Sequence, residues 1–135
     1  MPGHKDWLRK ALSDLRSAKK LLKDDDDTLD TAAYHTQQCA EKALKAYLVF
    51  KHKSPTRTHD LAKLLELCVA LDQSLKALID DVITLIPYAT YIRYPDDYFE
   101  IDRSDVEKAI VIALKIFKLI KAKIGLDSDQ NLTIF

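Results

Sequence analysis

One predicted helix carries a row of polar side chains that could form a binding site. The members of the row are His35, Gln38, Lys42 and Lys45. At the helical rotation of about 100° per residue, the four side chains fall within about 80° of one another. The row borders a stripe of small residues, so it is either a partly buried site or an ordinary solvated edge. Lysine and glutamine favour the solvated edge, whereas His35 so close to the stripe favours a more structured site.

A second set of candidate residues lies near predicted loops. Its members are Arg57, His59, Asp60, Arg93 and Tyr94. Asp60 stands in a predicted first helical turn, where the helix dipole favours a carboxylate. His59 could equally be a capping or core-edge residue. Arg93 could bind a phosphate or pair with Asp96 or Asp97, so both a structural and a ligand-binding role stay open.

Two cysteines and four histidines are the other residues that could support catalysis or bind metal. Cys39 and Cys68 each fall on an apolar helix stripe, which predicts two reduced core thiols rather than nucleophiles. The histidines are His4, His35, His52 and His59. No two of them have metal-ligand spacing on one helix, so a metal site is not expected. A Gly-rich phosphate loop is also absent from the sequence, and no cofactor is predicted.

The composition of the 135-residue chain is that of one globular domain. Hydrophobic residues make up 47% and charged residues 31% of it, which argues against disorder. Lys plus Arg and Asp plus Glu both number 21, so bulk charge predicts no strong non-specific attraction to nucleic acid. No signal peptide is visible, and no apolar run approaches the ~20 residues that cross a bilayer. We therefore expect a cytoplasmic protein without membrane contact.

Hydrophobic residues at three- and four-residue steps predict an all-α fold. The predicted helices cover residues 5–23, 28–52, 59–71, 74–86 and 104–125, with a further turn of helix at 88–92. The second of them begins near Thr28 or Asp30, either of which can cap it. Thr58 is the expected cap of the third helix, and Pro87 is expected to interrupt or restart the fourth. The predicted architecture is an antiparallel up-and-down bundle of four long helices plus a shorter fifth element.

The last predicted helix has clear signals at both ends. Ser104 and Glu107 form a capping-box pattern at its start, and Gly125 is a natural C-terminal residue. The domain is therefore predicted to cover residues 1–125. Residues 126–135 are predicted to form a loosely held tail.

The same helix has an apolar arc that exceeds half of its circumference. Ile112, Ile116 and Leu119 extend this arc beyond the seam that one small bundle requires. We expect a homodimer interface on these three residues. The alternative is that the helix is deeply buried within one chain.

Four stretches of the chain together resemble the HEPN family, small helical domains named for higher eukaryotes and prokaryotes nucleotide-binding. The stretches are Trp7 with Asp14, Leu15 and Ala18; Tyr34-His35-x-Gln37-Gln38-x-x-Glu41-Lys42-Ala43-Leu44-Lys45-Ala46; His59-Asp60-Leu61; and Tyr91-x-Arg93-Tyr94-Pro95. They cover about 90 residues in the order that the family shows. The stretch on the second helix is fairly specific, and the others are weak alone but persuasive together.

The resemblance implies a five-helix, mainly up-and-down bundle that commonly dimerises. Such proteins are often encoded beside a minimal nucleotidyltransferase, in two-component or toxin–antitoxin-like pairs. Many members are metal-independent ribonucleases that use an arginine followed four to six residues later by a histidine. No arginine of this chain has a histidine at that spacing, since His59 follows Arg57 by only two positions. Ribonuclease activity is therefore not carried over, and no catalytic residue is assigned.

These observations predict a module that binds a nucleotide, an RNA or a nucleotidyltransferase partner, with no catalytic activity assigned to it. The residues expected to contact the ligand are His35, Gln38, Lys42, Lys45, His59, Asp60, Arg93 and Tyr94. Two alternatives stay open, a divergent ribonuclease and a purely structural dimeric protein. Convergence of His35, His59 and Arg93 on one cleft would favour the nucleic-acid interpretation.

Overall fold

The computed structural model describes residues 2–24, 26–90, 101–126 and 130–132. Three long helices form its centre, α1 (His4–Asp24), α2 (Leu29–Phe50) and α6 (Arg103–Ile124). The shorter helices are α3 (Leu61–Leu71), α4 (Ile79–Leu85) and α5 (Pro87–Thr90). Three 3-10 turns occupy Asp26–Thr28, Gln73–Leu78 and Gln130–Leu132. These ranges contain no strand, which confirms the all-α prediction, and none of their helices is long and apolar enough to cross a membrane.

Helices α1 and α2 form an antiparallel pair that sets the register of the bundle. The Asp26–Thr28 turn reverses the chain, and the Thr28 hydroxyl donates a hydrogen bond to the Leu21 carbonyl at 3.0 Å. At the other end, the His4 ring packs edge-on against Phe50, with ring centroids 5.4 Å apart. The N-terminal turn of α1 therefore lies beside the C-terminal turn of α2.

Small side chains on α2 allow close packing against its neighbours. Its completely buried alanines are Ala32, Ala33, Ala40, Ala43 and Ala46. Cys39 Sγ lies 4.0 Å from the Ala113 carbonyl of α6, and Cys68 Sγ lies 3.5 Å from the Leu44 carbonyl. Burial raises the pKa of both thiols, that of Cys68 to about 12. The prediction of two reduced core thiols is confirmed.

The segment after α3 differs from the long fourth helix that was predicted. The Asp72 carboxylate accepts hydrogen bonds from the Ser74 amide at 3.0 Å and hydroxyl at 2.6 Å, which starts the 3-10 turn at Gln73–Leu78. Residues three apart share a side in 3-10 geometry, and Leu75 and Leu78 are both buried. The same spacing also fits an α-helix, so the periodicity of the sequence could not distinguish a 3-10 turn from an α-helix. The α-helix that follows has only seven residues.

Two predicted helix caps were wrong by two residues. Asp60, not Thr58, caps α3, because its carboxylate accepts the backbone amide three residues later at 3.2 Å. Asp102, not Ser104, caps α6, and Asp105 completes the capping box. Aspartate and serine are comparable caps, so composition alone does not choose between neighbouring candidates. The predicted helix end at a glycine and the restart at a proline are both confirmed.

The wide apolar face of α6 is used within the chain. Ile112 and Ile116 are buried in a single chain, and Leu119 packs against the core. Burial of α6 within one chain therefore accounts for its extra apolar surface. The wide apolar arc no longer supports a homodimer interface on these residues. Part of the predicted loose tail also packs on the bundle. Leu132 is completely buried, and its carbonyl accepts a hydrogen bond from Lys121 Nζ at 3.1 Å.

Candidate functional site

The first polar cluster joins α1 to α2 through the buried carboxylate of Asp14. Oδ1 of Asp14 lies 2.8 Å from His35 Nδ1, and Oδ2 accepts a hydrogen bond from Lys42 Nζ at 2.5 Å. His35 and Lys42 stand two turns apart on one face of α2, so a single carboxylate reaches both. About a quarter of each of these two side chains is exposed. The cluster links the two helices, and its His35 and Lys42 side chains are partly exposed to solvent.

The second polar cluster surrounds the buried carboxylate of Glu41. This side chain is 3% exposed, and its Oε2 accepts a hydrogen bond from Lys45 Nζ at 3.2 Å. The same oxygen lies 3.1 Å from His59 Nδ1, across the α2–α3 loop. Lys45 Nζ also lies over the Trp7 ring, 5.5 Å from its centroid. Because buried charges are costly unless paired, Glu41 and Lys45 depend on each other.

His59 presents one ring nitrogen outward. Its side chain is 68% exposed, whereas the Glu41 carboxylate beneath it is buried. With Glu41 ionised, the Nδ1 proton of His59 points to the carboxylate. Nε2 is then the nitrogen that meets solvent or a ligand, either as a proton acceptor or, in the imidazolium, as a donor.

Lys45 and His59 line a groove of about 830 Å³ between the α2–α3 loop and the start of α1. Its basic lining residues are Lys45, His52, Lys53, Arg57 and His59. Trp7 contributes an aromatic wall, and no Asp or Glu lines the groove among the residues that the structure describes. A positive surface without acids that also holds an aromatic ring suits a phosphate-bearing ligand.

The loop that forms the groove contains two residues in the left-handed conformation. His52 has φ 59° and Thr56 has φ 53°. The amides of His52 and Lys53 close a Schellman motif on the carbonyls of Val49 (3.0 Å) and Leu48 (2.8 Å). A β-branched residue such as Thr56 rarely adopts this conformation, which costs roughly 1–2 kcal/mol. Because both residues line the groove, backbone strain is concentrated at the candidate site.

Comparison with known proteins identifies the family. The HEPN domain family matches residues 4–123. The chain belongs to the HEPN family. A protein of Methanocaldococcus jannaschii named "Putative toxin MJ1304" is 28% identical over 129 residues, which cover 85% of this chain and 84% of that protein.

Two solved structures show the same HEPN architecture. ST0689, described as an archaeal HEPN homologue, superimposes with a TM-score of 0.74 at 27% identity, over 93% of this chain and 100% of its own. TT1696 from Thermus thermophilus gives a TM-score of 0.75 at 27% identity, over 91% of this chain and 99% of its own. The matched family range contains both polar clusters and every lining residue of the groove except Pro2.

The predicted polar row of the HEPN chain is divided between the two clusters. His35 and Lys42 meet at Asp14, whereas Lys45 turns to Glu41. The fourth member of the row, a partly buried glutamine at position 38, donates a hydrogen bond to the glutamine before it at 2.8 Å. The row is therefore two structured sites and not one solvated edge.

The residues predicted near the loops have different outcomes. His59 and Arg57 both line the groove, so the structure brings them together with Lys45 from the helical row. Asp60 acts as the cap of α3. Arg93 and Tyr94 lie outside the residues that the structure describes. His35 and His59 do not share one cleft, because His35 contacts Asp14 whereas His59 lines the groove.

Asp14 and Glu41, the two acids that organise the clusters, were named from the sequence only as part of the family resemblance and not as site residues. Asp14 lies on α1 between buried Ala11 and Leu15, and Glu41 lies three residues before buried Leu44. An acid on an apolar stripe is rare, because a buried carboxylate requires a partner. The presence of Asp14 and Glu41 on apolar stripes was therefore the sequence signal that could have identified them as site residues. Lys53 gave no comparable signal, because its place depends on the path of the loop.

Proposed function

We propose that this HEPN protein is a toxin-like module that binds a nucleotide or an RNA in the groove beside His59. The observation that carries the proposal is the lining, which has five basic side chains and no described acid. Lys53 and Arg57 can neutralise phosphate oxygens, and arginine does so with paired hydrogen bonds. Membership of the HEPN family and likeness to a protein named as a toxin support the toxin-like part of the proposal.

The Glu41 cluster supports the groove from below. Glu41 fixes the ring orientation of His59 through Nδ1, and Lys45 neutralises its charge. The carboxylate is buried, so its negative charge does not line the groove. His59 and Lys45 are therefore held in place before a ligand binds, which lowers the cost of ordering these two side chains on binding.

Calorimetric titration with ATP and with a short RNA tests the proposal. The double variant Lys53→Ala/Arg57→Ala should weaken binding at least about tenfold, because each lost charge-assisted contact contributes more than 1 kcal/mol. Lys63→Ala is the matched control, since Lys63 is exposed on α3 and pairs with Glu66 at 3.7 Å outside the groove. Binding by the double variant that equals that of the control would refute the groove as the site.

A second candidate function is metal-independent RNA cleavage, which the Glu41–His59 pair favours. Nε2 of His59 could accept a proton from a ribose 2′-hydroxyl, whose oxygen then attacks the adjacent phosphorus. The bond from phosphorus to the 5′-oxygen breaks, and that oxygen takes a proton from solvent, while the basic side chains stabilise the charged phosphorus centre. Incubation of RNA with wild type, His59→Ala and the control His35→Ala distinguishes the two functions. We expect cleavage, if present, to be lost only in His59→Ala; cleavage that persists there excludes His59 as the catalyst, and no cleavage by wild type rejects the activity.

Two partner predictions remain proposals. A minimal nucleotidyltransferase partner is tested by co-purification with the protein encoded beside this chain. A homodimer is tested by light scattering at micromolar concentration, where a monomeric mass would contradict it. Burial of Ile112 and Ile116 within one chain means that such an interface would have to use other residues.

A further inference from the structure

We infer that the exposed face of α1 extends the groove past Trp7 into a longer binding surface, whose occupant is a single-stranded polynucleotide. The inference rests on the proposed groove and adds a second surface to it. It also favours an RNA over a mononucleotide as the ligand, because a mononucleotide would occupy only the groove. Three properties of the surface support it: its continuity, its charge, and the chemistry of the occupant that fits it.

The groove continues into a second cavity at Trp7. This cavity, of about 420 Å³, is lined by Pro2, Asp6, Trp7, Arg9 and Lys10. It shares Pro2 and Trp7 with the groove, so the indole stands between two basic compartments. Asp6 pairs with Arg9 at 3.0 Å, but both side chains are more than half exposed. An exposed pair of this kind contributes little, so a phosphate can compete for the guanidinium.

The exposed face of α1 extends the basic surface beyond the second cavity. Between Asp6 and Asp24, its exposed residues are Arg9, Lys10, Ser13, Arg16, Lys20 and Lys23. No exposed acid interrupts this stretch of α1, because Asp14 is buried against Lys42 and His35. At 1.5 Å per residue, the face from Arg9 to Lys23 is about 21 Å long. A chain with equal numbers of acidic and basic residues therefore concentrates positive charge along one helix.

The chemistry of this surface favours a nucleic acid over a membrane. Leu8, Leu12 and Leu15 of α1 are buried in the core, so the helix offers no apolar face to a bilayer. A row of cations matches the regular phosphates of a polynucleotide. Trp7 is partly exposed, and the face of its ring that Lys45 does not cover can stack on a base. Only an unpaired base is free to stack in this way, so a single strand is favoured over a duplex.

Fluorescence anisotropy with labelled RNA tests the inference on the full chain. The probes are single strands of 4 and 16 nucleotides and a duplex of the longer sequence. The variant Lys10→Gln/Lys20→Gln removes two charges from the α1 face. Its matched control is Lys108→Gln/Lys118→Gln, which removes two charges from the exposed face of α6.

Wild type should bind the 16-nucleotide strand at least about tenfold more tightly than the 4-nucleotide strand. The α1 variant should lose that gain and keep its affinity for the short strand, whereas the α6 control should keep both. Because each phosphate contact of a single strand contributes about 0.7 to the slope of log affinity against log salt, losing two contacts should reduce the slope by about 1.4.

The outcomes separate this inference from the proposed function. Binding of the short strand without a gain for the long one, or equal losses in both variants, overturns the α1 surface and leaves the groove. No binding of any RNA overturns the inference, and the ATP titration then decides separately whether the groove binds a nucleotide. Duplex affinity equal to that of the single strand refutes the role of Trp7. Binding to phosphatidylserine vesicles that requires Lys10 and Lys20, with no RNA binding, would assign the surface to a membrane and overturn the inference.

Discussion

Removing one member of the Glu41–Lys45 pair should destabilise the protein far more than removing both. The two side chains are 3% and 5% exposed, with Nζ and Oε2 3.2 Å apart. Lys45→Met leaves a buried carboxylate beside only His59, and Glu41→Gln leaves a buried ammonium. Each variant should lower the free energy of unfolding by about 3 kcal/mol, the lower end for breaking a buried pair. For a chain of this length, that corresponds to a fall in Tm of about 10 °C.

The double variant Glu41→Gln/Lys45→Met should lose only about 1 kcal/mol, because no uncompensated charge remains in the interior. Urea unfolding followed by far-UV circular dichroism measures all three variants. The fluorescence of Trp7, the single tryptophan, gives a second signal from the site itself, since Lys45 lies over its ring. Lys63→Met is the control, and this exposed lysine should contribute less than about 0.5 kcal/mol.

A double-mutant cycle decides whether the reasoning holds. If Glu41 and Lys45 compensate each other, the coupling free energy should be several kcal/mol, since the two single losses far exceed the loss in the double variant. A coupling near zero would show that the two charges act independently. A Lys45→Met variant as stable as the Lys63→Met control would refute the buried ion pair.

Three further predictions follow from the fold. Cys39 and Cys68 should resist a thiol reagent until the chain unfolds, because burial raises both pKa values; rapid labelling of the native protein would contradict this. His52→Gly should raise the free energy of unfolding in urea by about 0.5–1 kcal/mol, because glycine relieves the left-handed conformation; a decrease would refute strain there. Hydrogen bonds from Ser74, then Lys123, lower the pKa of Asp72 to about 2. That stabilisation is complete above pH 4 and is lost towards pH 2, so wild type should lose more stability over this range than Asp72→Asn; equal losses would contradict it.

The long helices were predictable because the positions of their buried residues follow from local periodicity. Residues three and four apart share a face in any α-helix, so the buried stripes of α1, α2 and α6 could be placed from spacing alone. The turn at Gln73–Leu78 could not, because apolar residues three apart fit both helix types. Exact caps also escaped prediction, since Asp102 and Ser104 are nearly equal in capping strength.

The candidate site was predictable only where it lies on one helix. His35 and Lys42 were grouped correctly because helix geometry alone puts them on one face. The contact between His59 and Glu41 depends instead on how the α2–α3 loop returns, including the left-handed Thr56. Nothing in residue spacing specifies that path. Tertiary packing therefore decided which of the predicted histidines faces the groove.

The buried Leu132 has a consequence for any shortened or fused form of the protein. The segment at 130–132 packs on α1, and its leucine carbonyl receives the ammonium of Lys121, which is 8% exposed. Deleting residues 126–135 as if they were dispensable would uncover apolar surface on α1 and leave that ammonium without its acceptor. Precipitation of a truncated protein would therefore show that the 130–132 segment covers apolar surface of the bundle. For the same reason, a C-terminal purification tag is better attached through a long spacer.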